Sequence, residues 1–285
     1  MKVNMDTAYM IIKRSPFLVL HFGLIGLIWA GASRIALLAF LGSTLIRMFG
    51  LTAGFHRYFS HRSFKTSRWF QLVLAALGTC AAQHGPLWWA SHHRHHHRYS
   101  DSAYDIHSPL HPSFLHSHIG WLFERKYYST NTSLVPDLLR FRELVWIDNN
   151  HRLFPIMYGL LLWGLGAVLE QNVQGVSAFQ IFMWGFVVST VVLYHITFSI
   201  NSFSHLFGTR PYKTGDGSRN NWIFALLTMG EGWHNNHHRY PKSSRQGFVW
   251  WQIDLTYWVL RMLAMMGVIW SLNRPPKMVI EEAYS

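Results

Sequence analysis

The chain has 285 residues, of which half are hydrophobic, 16% are aromatic and only 13% are charged, and it carries a net charge of +12 with 19 histidines and one cysteine. Soluble globular domains carry about twice that share of charged residues, so this composition excludes intrinsic disorder and disfavours an ordinary soluble enzyme. A single cysteine excludes an intramolecular disulfide framework and any cysteine-rich zinc or iron–sulfur site.

The N-terminal part of the chain predicts a helical hairpin in a membrane. Two apolar stretches, 17–30 and 35–49, are joined by a short turn. Each is shorter than the roughly 20 residues that a membrane-spanning helix needs, so we expect tilted helices or a locally thinned bilayer. The first stretch also resembles a secretory signal peptide that ends at Ala30-Gly31-Ala32. Cleavage there would export a loop rich in Lys and Arg, so we reject that interpretation.

Two spaced groups of histidines follow the second apolar stretch. The first group is an HxxxxH pair at the end of that stretch, and the second is an HxxHH triple whose i, i+3, i+4 spacing places three imidazoles on one helix face. Their members are His56 and His61, then His93, His96 and His97. Between the two groups, the apolar segment 69–82 is too short to span, and we predict that it lies at the membrane interface.

The second half of the chain repeats this arrangement of an apolar hairpin and polar groups. The stretches 153–169 and 178–200 flank the turn Gln171–Ser177. Asn201 and His205 follow at i, i+4 spacing, on one helix face. A second HxxHH triple consists of His234, His237 and His238. The aromatic segment 250–270 contains two charged residues, which predicts an interfacial helix. A fifth span is the alternative for this segment, and it would move only the C-terminal tail.

The positions of the basic residues predict the orientation in the membrane. Of the 25 Lys and Arg, three lie in residues 1–14, eleven in 51–152 and nine in 206–285, whereas the turn Gln171–Ser177 has none and the first turn has only Arg34. An excess of Lys and Arg marks the cytosolic side, so the large loops are predicted to be cytosolic. Because these charges are spread over every loop on that side, we predict no nucleic-acid partner.

The grouped histidines predict a metal centre on the cytosolic side. A divalent metal offsets the lost hydration and mutual repulsion of clustered imidazoles, and neutral imidazole is the commonest metal ligand. Histidine ligands without cysteine suit iron, zinc, copper or nickel, and this many exceed the four ligands of a closed structural zinc site. We therefore predict two metal ions with open coordination positions.

Carboxylates are expected to assist these ligands and not to bridge the metals. A carboxylate-bridged di-iron site uses paired Glu-x-x-His motifs, and the chain contains only Glu231–His234. We expect Glu231, Asp101 and Asp105 to orient ligand imidazoles through hydrogen bonds. The other histidines outside the spans lack the spacing of a ligand group and are not predicted as ligands: His84, His92, His95, His107, His111, His116, His118 and His151. His21 and His195 lie within predicted spans.

Three segments carry a resemblance to a known family. HRYFSH at 56–61, HRHHH at 93–97 and EGWHNNHH at 231–238 resemble the three histidine boxes of the membrane fatty acyl desaturases. The flanking stretches AGFHR, YSD, HIGW and N…HLFG support the resemblance, which covers 17–272 and is strongest to the stearoyl-CoA (Δ9) branch, including its bacterial and cyanobacterial members.

This resemblance implies an all-α integral membrane fold. Its four transmembrane helices would form two hairpins, and a cytosolic helical cap of residues 50–152 and 201–285 would complete a single desaturase domain over 1–285. It also implies a di-iron centre that uses O₂ and two electrons to introduce a cis double bond, at Δ9, into a fatty acyl chain. Nine histidines and, through water, one asparagine would bind the two irons: His56, His61, His93, His96, His97, Asn201, His205, His234, His237 and His238.

Two departures from the family leave the carrier and the electron donor open. Animal members have an acidic residue just before the second box that helps to hold CoA, and here the stretch WWASH at 88–92 has none. The acyl chain is therefore expected on CoA, on a membrane lipid or on a carrier protein. No His-Pro-Gly-Gly haem motif is present, which indicates a separate donor such as ferredoxin, rubredoxin or cytochrome b5 with its reductase. The basic cytosolic face would dock an acidic donor, and we expect a bacterial inner membrane rather than the endoplasmic reticulum.

Three other functions fit parts of the pattern. A membrane hydroxylase of an alkyl or lipid substrate would use the same centre and form an oxygenated product. A histidine-rich metal transporter or sensor would need a polar path through the spans, which contain few polar residues. A scaffold with an incidental histidine run would keep its activity after substitution of His93 or His237.

Overall fold

The computed structural model describes residues 9–10 and 12–284, and these are mostly helical, as predicted. The helices are α1 (Ser15–Ala30), α2 (Arg34–Ser60), α3 (Arg68–Thr79), α4 (Pro86–Tyr99), α5 (Phe114–His118), α6 (Pro136–Leu139), α7 (Arg142–Asn149), α8 (Leu153–Asn172), α9 (Ala178–His205), α10 (Trp222–Leu227), α11 (His234–Arg239), α12 (Leu255–Met265) and α13 (Lys277–Glu281). The strands are β1 (Lys65–Thr66) and β2 (Ile269–Trp270), and short 3₁₀ turns lie at Gly120–Phe123, Arg125–Tyr127, Thr132–Leu134 and Glu282–Tyr284.

Three of these helices are long and apolar enough to cross a membrane. They are α2 with 27 residues, α8 with 20 and α9 with 28, and they contain three of the four predicted spans. The remaining predicted span corresponds to α1, which is shorter and contains a 3₁₀ turn at Leu24–Gly26. The chain is therefore a membrane protein, and the fourth span stays a prediction.

The helices α2 and α9 extend well past the predicted ends of their apolar stretches. Hydropathy places these ends at residues 49 and 200, where polar residues begin, but α2 continues to Ser60 and α9 to His205. The polar residues continue the helices because the surrounding helices and loops bury them: His56 and His205 are 5% and 2% exposed. Each long helix thus carries histidines directly into the buried part of the structure.

Short polar residues and proline define where the main helices begin. The Ser33 hydroxyl accepts a hydrogen bond from the Ala36 backbone N–H at the start of α2, and Ser177 does the same for Gln180 at the start of α9. Pro86 occupies the first position of α4, where its missing N–H costs no helical hydrogen bond. These caps set the first turn of the helices that carry the candidate ligands.

The largest buried hydrophobic cluster among the described residues joins α2, α3 and α4. Leu51 and Phe55 of α2, Leu74 of α3 and Leu87 of α4 belong to one buried cluster. A side chain at Gly50 would meet the α3 backbone at 2.5 Å, so glycine is needed for this close approach. The segment 69–82, predicted to be interfacial, therefore forms a helix whose buried face belongs to this cluster.

The all-helical prediction is wrong in one detail. The strands β1 and β2 pair antiparallel, with Lys65 opposite Trp270 and Thr66 opposite Ile269. The segment 250–270 was predicted as one interfacial helix, but α12 occupies only its middle. Gly267 follows α12 with a positive φ of 74°, a conformation that ends a helix and turns the chain into β2.

Candidate metal centre

The first histidine pair owes its geometry to a π-helical segment at the end of α2. Gly50–Ser60 is π-helical, and the His61 backbone N–H donates to the His56 carbonyl, five residues back, at 3.2 Å. Side chains five residues apart in an α-helix point about 140° away from each other. The wider turn brings them to one side, and the two ring centroids are 4.8 Å apart.

The nine predicted histidine ligands lie together in two groups. The first group contains His56, His61, His93, His97 and His237. The second group contains His96, His205, His234 and His238. Each HxxHH motif contributes to both groups. The motif on α4 gives its i and i+4 histidines to the first group and its i+3 histidine to the second, whereas the motif on α11 gives its i and i+4 histidines to the second group and its i+3 histidine to the first.

The nitrogen separations within the groups suit shared metal ions. The Nε2 atom of His93 lies 2.7 Å from Nε2 of His61 and 3.0 Å from Nε2 of His97. Two nitrogen ligands bound at right angles to one metal ion would lie about 2.9 Å apart. The Nε2 atoms of His96 and His238 are buried without a hydrogen-bond partner among the described residues. The donor set therefore fits one metal ion in each group.

Burial keeps most of these imidazoles neutral and able to bind a metal. Burial, followed by the neighbouring imidazoles, holds the pKa well below the usual range for His61, His93, His97, His234 and His237. Burial also lowers the pKa of His238, to about 4. For His96, burial lowers the pKa but the Asp105 carboxylate outweighs it, so the net shift is upward.

Carboxylates accept hydrogen bonds from the outward Nδ1 atoms of four of the nine histidines. The pairs are His56–Glu231, His96–Asp105 (2.9 Å), His205–Asp101 (2.8 Å) and His238–Asp216 (2.6 Å). A hydrogen on Nδ1 leaves the Nε2 lone pair free to face the metal position, so these pairs orient the rings and fix the tautomer. Burial by itself would raise the pKa of Asp101. The hydrogen bonds from His205, Ser108 and Gly217 outweigh burial, and the pKa falls to about 2.

Glu231 belongs to a buried network that anchors the first histidine box. Its carboxylate contacts His56 and accepts hydrogen bonds from Arg57 at 3.0 Å and from the Gln246 amide at 3.0 Å. The Arg57 guanidinium also donates to Asp254 at 2.9 Å. Asp254 in turn caps α12 by accepting from the Tyr257 backbone N–H. The box HRYFSH thus contributes its arginine to the site as well as its histidines.

Sequence reasoning missed three residues that touch the ligand groups. Asp216 and Gln246 carry no spacing signal, because each is an isolated residue in a loop and only folding brings it to the site. His107 forms a third close group with His96 and Asp105, and its buried Nδ1 has no partner among the described residues. The Asp-x-His pattern of Asp105 and His107 is the one signal that marks this residue.

The other histidines stay outside the two groups. The His92 ring bonds to the Trp88 carbonyl at 2.8 Å, and the His95 ring bonds to the Tyr104 carbonyl at 2.9 Å. Both therefore point away from the ligands, as their helix positions indicate. His21 and His195 bond to each other at 3.1 Å, and His195 bonds to His118 at 3.1 Å.

An apolar cavity of about 460 Å³ leads to the histidine groups. Trp88, Trp121 and Phe198 form part of its wall, which also includes His93 and Asn201. A smaller cavity of about 50 Å³ contacts histidines of both groups and also Asn201. His93 and Asn201 are thus predicted site residues that line both cavities, and a long apolar molecule in the larger cavity would reach the ligands.

Comparison with known proteins agrees with this geometry. The family model for fatty acid desaturases matches residues 32–272. The chain is 37% identical to an acyl-CoA C20 Delta5-desaturase of Anemone leveillei over 80% of this chain and 70% of that protein. It is 36% identical to an sn-1 stearoyl-lipid 9-desaturase of Synechocystis sp. over 84% and 72%, and 36% identical to a hex-5-enoyl-[acyl-carrier protein] acetylenase of Moorena producens over 89% and 81%.

The match spans all three histidine boxes and the helices that carry them, and it confirms the resemblance found in the sequence. The relatives act on acyl chains attached to three different carriers, so the comparison does not select among carriers for this chain. The buried histidine groups, the apolar cavity that reaches them and the family match lead to one conclusion: the chain belongs to the fatty acid desaturase family and is an oxidoreductase of the membrane.

Proposed function

We propose that the protein is an O₂-dependent fatty acyl desaturase that introduces a cis double bond, at Δ9, into a saturated acyl chain carried on CoA or lipid. The observation that carries this proposal is an apolar cavity whose wall includes His93 and Asn201. A saturated chain in that cavity would place its methylenes beside the ligand groups. Similarity to a stearoyl-lipid 9-desaturase supports the bond position.

In this proposal the nine histidines bind two iron ions, and Asn201 assists through water. When bound, the iron pair would supply the O₂ activation that removes one hydrogen from each of two adjacent methylenes. The balanced reaction consumes O₂, two electrons and two protons, and it forms the double bond and two waters. The electrons would come from a separate donor, such as ferredoxin, rubredoxin or cytochrome b5 with its reductase, docked on the basic face.

The chain's own side chains bind the substrate and exclude water. Trp88, Trp121 and Phe198 provide flat apolar walls that hold an alkyl chain in place and keep bulk water away from the reacting carbons. Asp101, Asp105, Asp216 and Glu231 hold the ligand rings, so that a bound metal keeps its position relative to the chain. Positioning is the protein's contribution to the chemistry.

The proposed setting is a single desaturase domain with four transmembrane helices and a cytosolic cap. The apolar α1, although shorter than the other three, would complete two hairpins with α2, α8 and α9. The basic loops would then face the cytosol, and the site would lie at the cytosolic face of a bacterial inner membrane.

Expression in a host that cannot make unsaturated fatty acids tests the activity. Gas chromatography of total lipid should show a new monounsaturated acid, and the purified protein should contain about two irons per chain. The variant His93→Ala should lose iron and product, whereas His95→Ala on the same helix should keep both, because His95 lies outside both ligand groups. An unchanged lipid profile from inserted, iron-loaded protein with a working donor would contradict the proposal, and an oxygenated product would indicate a hydroxylase.

A further inference from the structure

The apolar cavity opens sideways between two helices, and not only towards the cap. Val19 of α1 and Leu160 of α8 line it, and each is more than 60% exposed. Phe182 and Phe186 of α9 form its floor between these two helices. In a bilayer, such exposed apolar residues on membrane-spanning segments face the acyl chains of lipids. The cavity therefore extends from the lipid side to the ligand groups, and we call it the cleft between α1 and α8.

The same cavity carries positive charge where α1 and α8 begin. Lys13 and Arg14 directly precede α1, and Arg152 directly precedes α8. The Arg152 guanidinium donates a hydrogen bond to the Lys13 carbonyl at 2.9 Å, which ties the two helix starts together. Among the described residues that line this cavity, none is acidic.

Arg14 is the buried member of this cationic cluster, which consists of Lys13, Arg14 and Arg152. Its side chain is only 7% exposed, and its Nε donates to the Leu122 carbonyl at 2.8 Å. Its Nη1 contacts the ring of His84, and its Nη2 is buried without a hydrogen-bond partner among the described residues. A buried cation with an unpaired donor is costly unless an anion is supplied.

The neighbours of Arg14 among residues 9–10 and 12–284 do not supply that anion. Burial, and then the charge of Arg14, hold the pKa of His84 well below its usual range, so this ring accepts from Nη1 as a neutral partner. Burial lowers the pKa of Arg14 to about 10, so the guanidinium stays charged at neutral pH. Its remaining close contacts are the faces of Trp88 and Tyr128, at 5.7 and 5.2 Å.

We propose that the cleft takes its substrate from the bilayer as a phospholipid, with the headgroup phosphate at Lys13, Arg14 and Arg152 and one acyl chain running to His93 and Asn201. This inference rests on the proposed desaturase function and names the carrier. Phosphates of membrane lipids lie at the level where membrane helices begin, which is the position of the cationic cluster. An uncharged glycolipid would leave Arg14 without an anion, and a soluble thioester would not need an opening towards lipid.

The test uses the iron-loaded protein with its electron donor in digalactosyldiacylglycerol vesicles. Three deuterated stearoyl substrates are compared by mass spectrometry of the product: a phosphatidylglycerol in the bilayer, a galactolipid in the bilayer and soluble stearoyl-CoA. We expect the phosphatidylglycerol to be converted fastest. Arg14→Gln should lower its conversion at limiting substrate by about tenfold, the value of one charge-assisted hydrogen bond, and Arg14→Lys should restore part of it.

Matched variants separate loss of the site from loss of folding. Arg274→Gln removes an exposed arginine outside the cavity and should have no effect. Leu160→Trp should obstruct the opening, whereas Leu161→Trp changes an equally exposed neighbour outside the cleft, with exposures of 67% and 65%. If Arg14→Gln does not fold, phosphatidylglycerol retained through purification should still be lower in Leu160→Trp than in Leu161→Trp.

The outcomes distinguish this inference from the proposed function. Conversion of stearoyl-CoA without conversion of phosphatidylglycerol would overturn the phospholipid substrate and leave desaturation intact. Equal conversion of galactolipid and phosphatidylglycerol, unaffected by Arg14→Gln, would overturn the phosphate site. No conversion of any substrate by iron-loaded protein would contradict desaturation itself, and with it this inference.

Discussion

At the scale of single residues, the partner of a histidine determines what that histidine can do. The sequence contains many histidines in the loops, but only some have an outward nitrogen that donates to a buried carboxylate. His238 donates to Asp216, whereas His95 donates to a backbone carbonyl and points away from the ligand groups. A carboxylate partner increases the basicity of the ligand and prevents its ring from rotating.

Asp216→Asn tests this role at a residue that spacing could not reveal. Loss of the charge should weaken iron binding in the second group by about 10- to 100-fold, since this is the typical effect of removing such a partner. Competition with a chelator, read by iron content, measures the change.

A matched control for this substitution is Glu281→Gln, which alters an exposed glutamate paired only with Lys277. Iron affinity should stay at the wild-type value in that variant. Equal affinities in wild type and Asp216→Asn would show that the His238 ring needs no carboxylate to hold it.

At the scale of helices, the site depends on how α2 meets α4. The π-helical end of α2 brings two histidines to one side, and α4 divides its three histidines between the groups. Arg94 joins these helices, since its guanidinium donates to the Phe59 and Ser60 carbonyls at 2.6 and 3.1 Å and to Asp137 at 2.6 Å. The last turn of α2 therefore stays at a set distance from α4.

Arg94→Ala should separate the first histidine box from the second. The variant leaves two buried helix-end carbonyls without this donor and removes one of the two arginines that pair with Asp137, the other being Arg62. We therefore expect about 3 kcal/mol less stability and weaker iron binding in the first group. Thermal unfolding in detergent and iron content measure the two effects. Arg98→Ala, at an exposed position of the same helix, is the control, and equal losses in both variants would contradict the bridging role of Arg94.

At the scale of the whole molecule, the hairpins should place every ligand on one side of the membrane. Each box follows an even number of predicted spans, and the basic residues lie in the same loops. This arrangement would also put the cationic cluster of Lys13, Arg14 and Arg152 at the cytosolic level of the bilayer. The headgroup site and the metal centre would then be reached from the same leaflet.

Cysteine labelling in sealed cells or vesicles tests this topology. In a Cys80→Ser background, a membrane-impermeant maleimide should label Gln174→Cys from the outside and Ala103→Cys only after the membrane is opened. Both positions are exposed, and the proposed topology puts their loops on opposite sides of the membrane. Labelling of both positions from the same side would show an even number of spans between them and would contradict the single span α8 that the topology places there.

The sequence by itself determined the membrane class, the spaced histidine motifs and the family. Apolar runs and i, i+3, i+4 spacing are local patterns, and they can be recognised without knowledge of the fold. It also indicated Glu231, Asp101 and Asp105 as partners, since each lies near a box in the chain. Its apolar stretches end at residues 49 and 200, whereas α2 and α9 continue to Ser60 and His205, because hydropathy does not register polar residues that the fold buries.

Only the tertiary structure decided which histidines share a metal position, and that Asp216 and Gln246 join them. These contacts link loops that are distant in sequence, and no local pattern records them. The same is true of Arg14, which sequence alone placed among the cytosolic charges. Its burial beside His84, at the mouth of a cleft between α1 and α8, arises from packing and makes it an anion site.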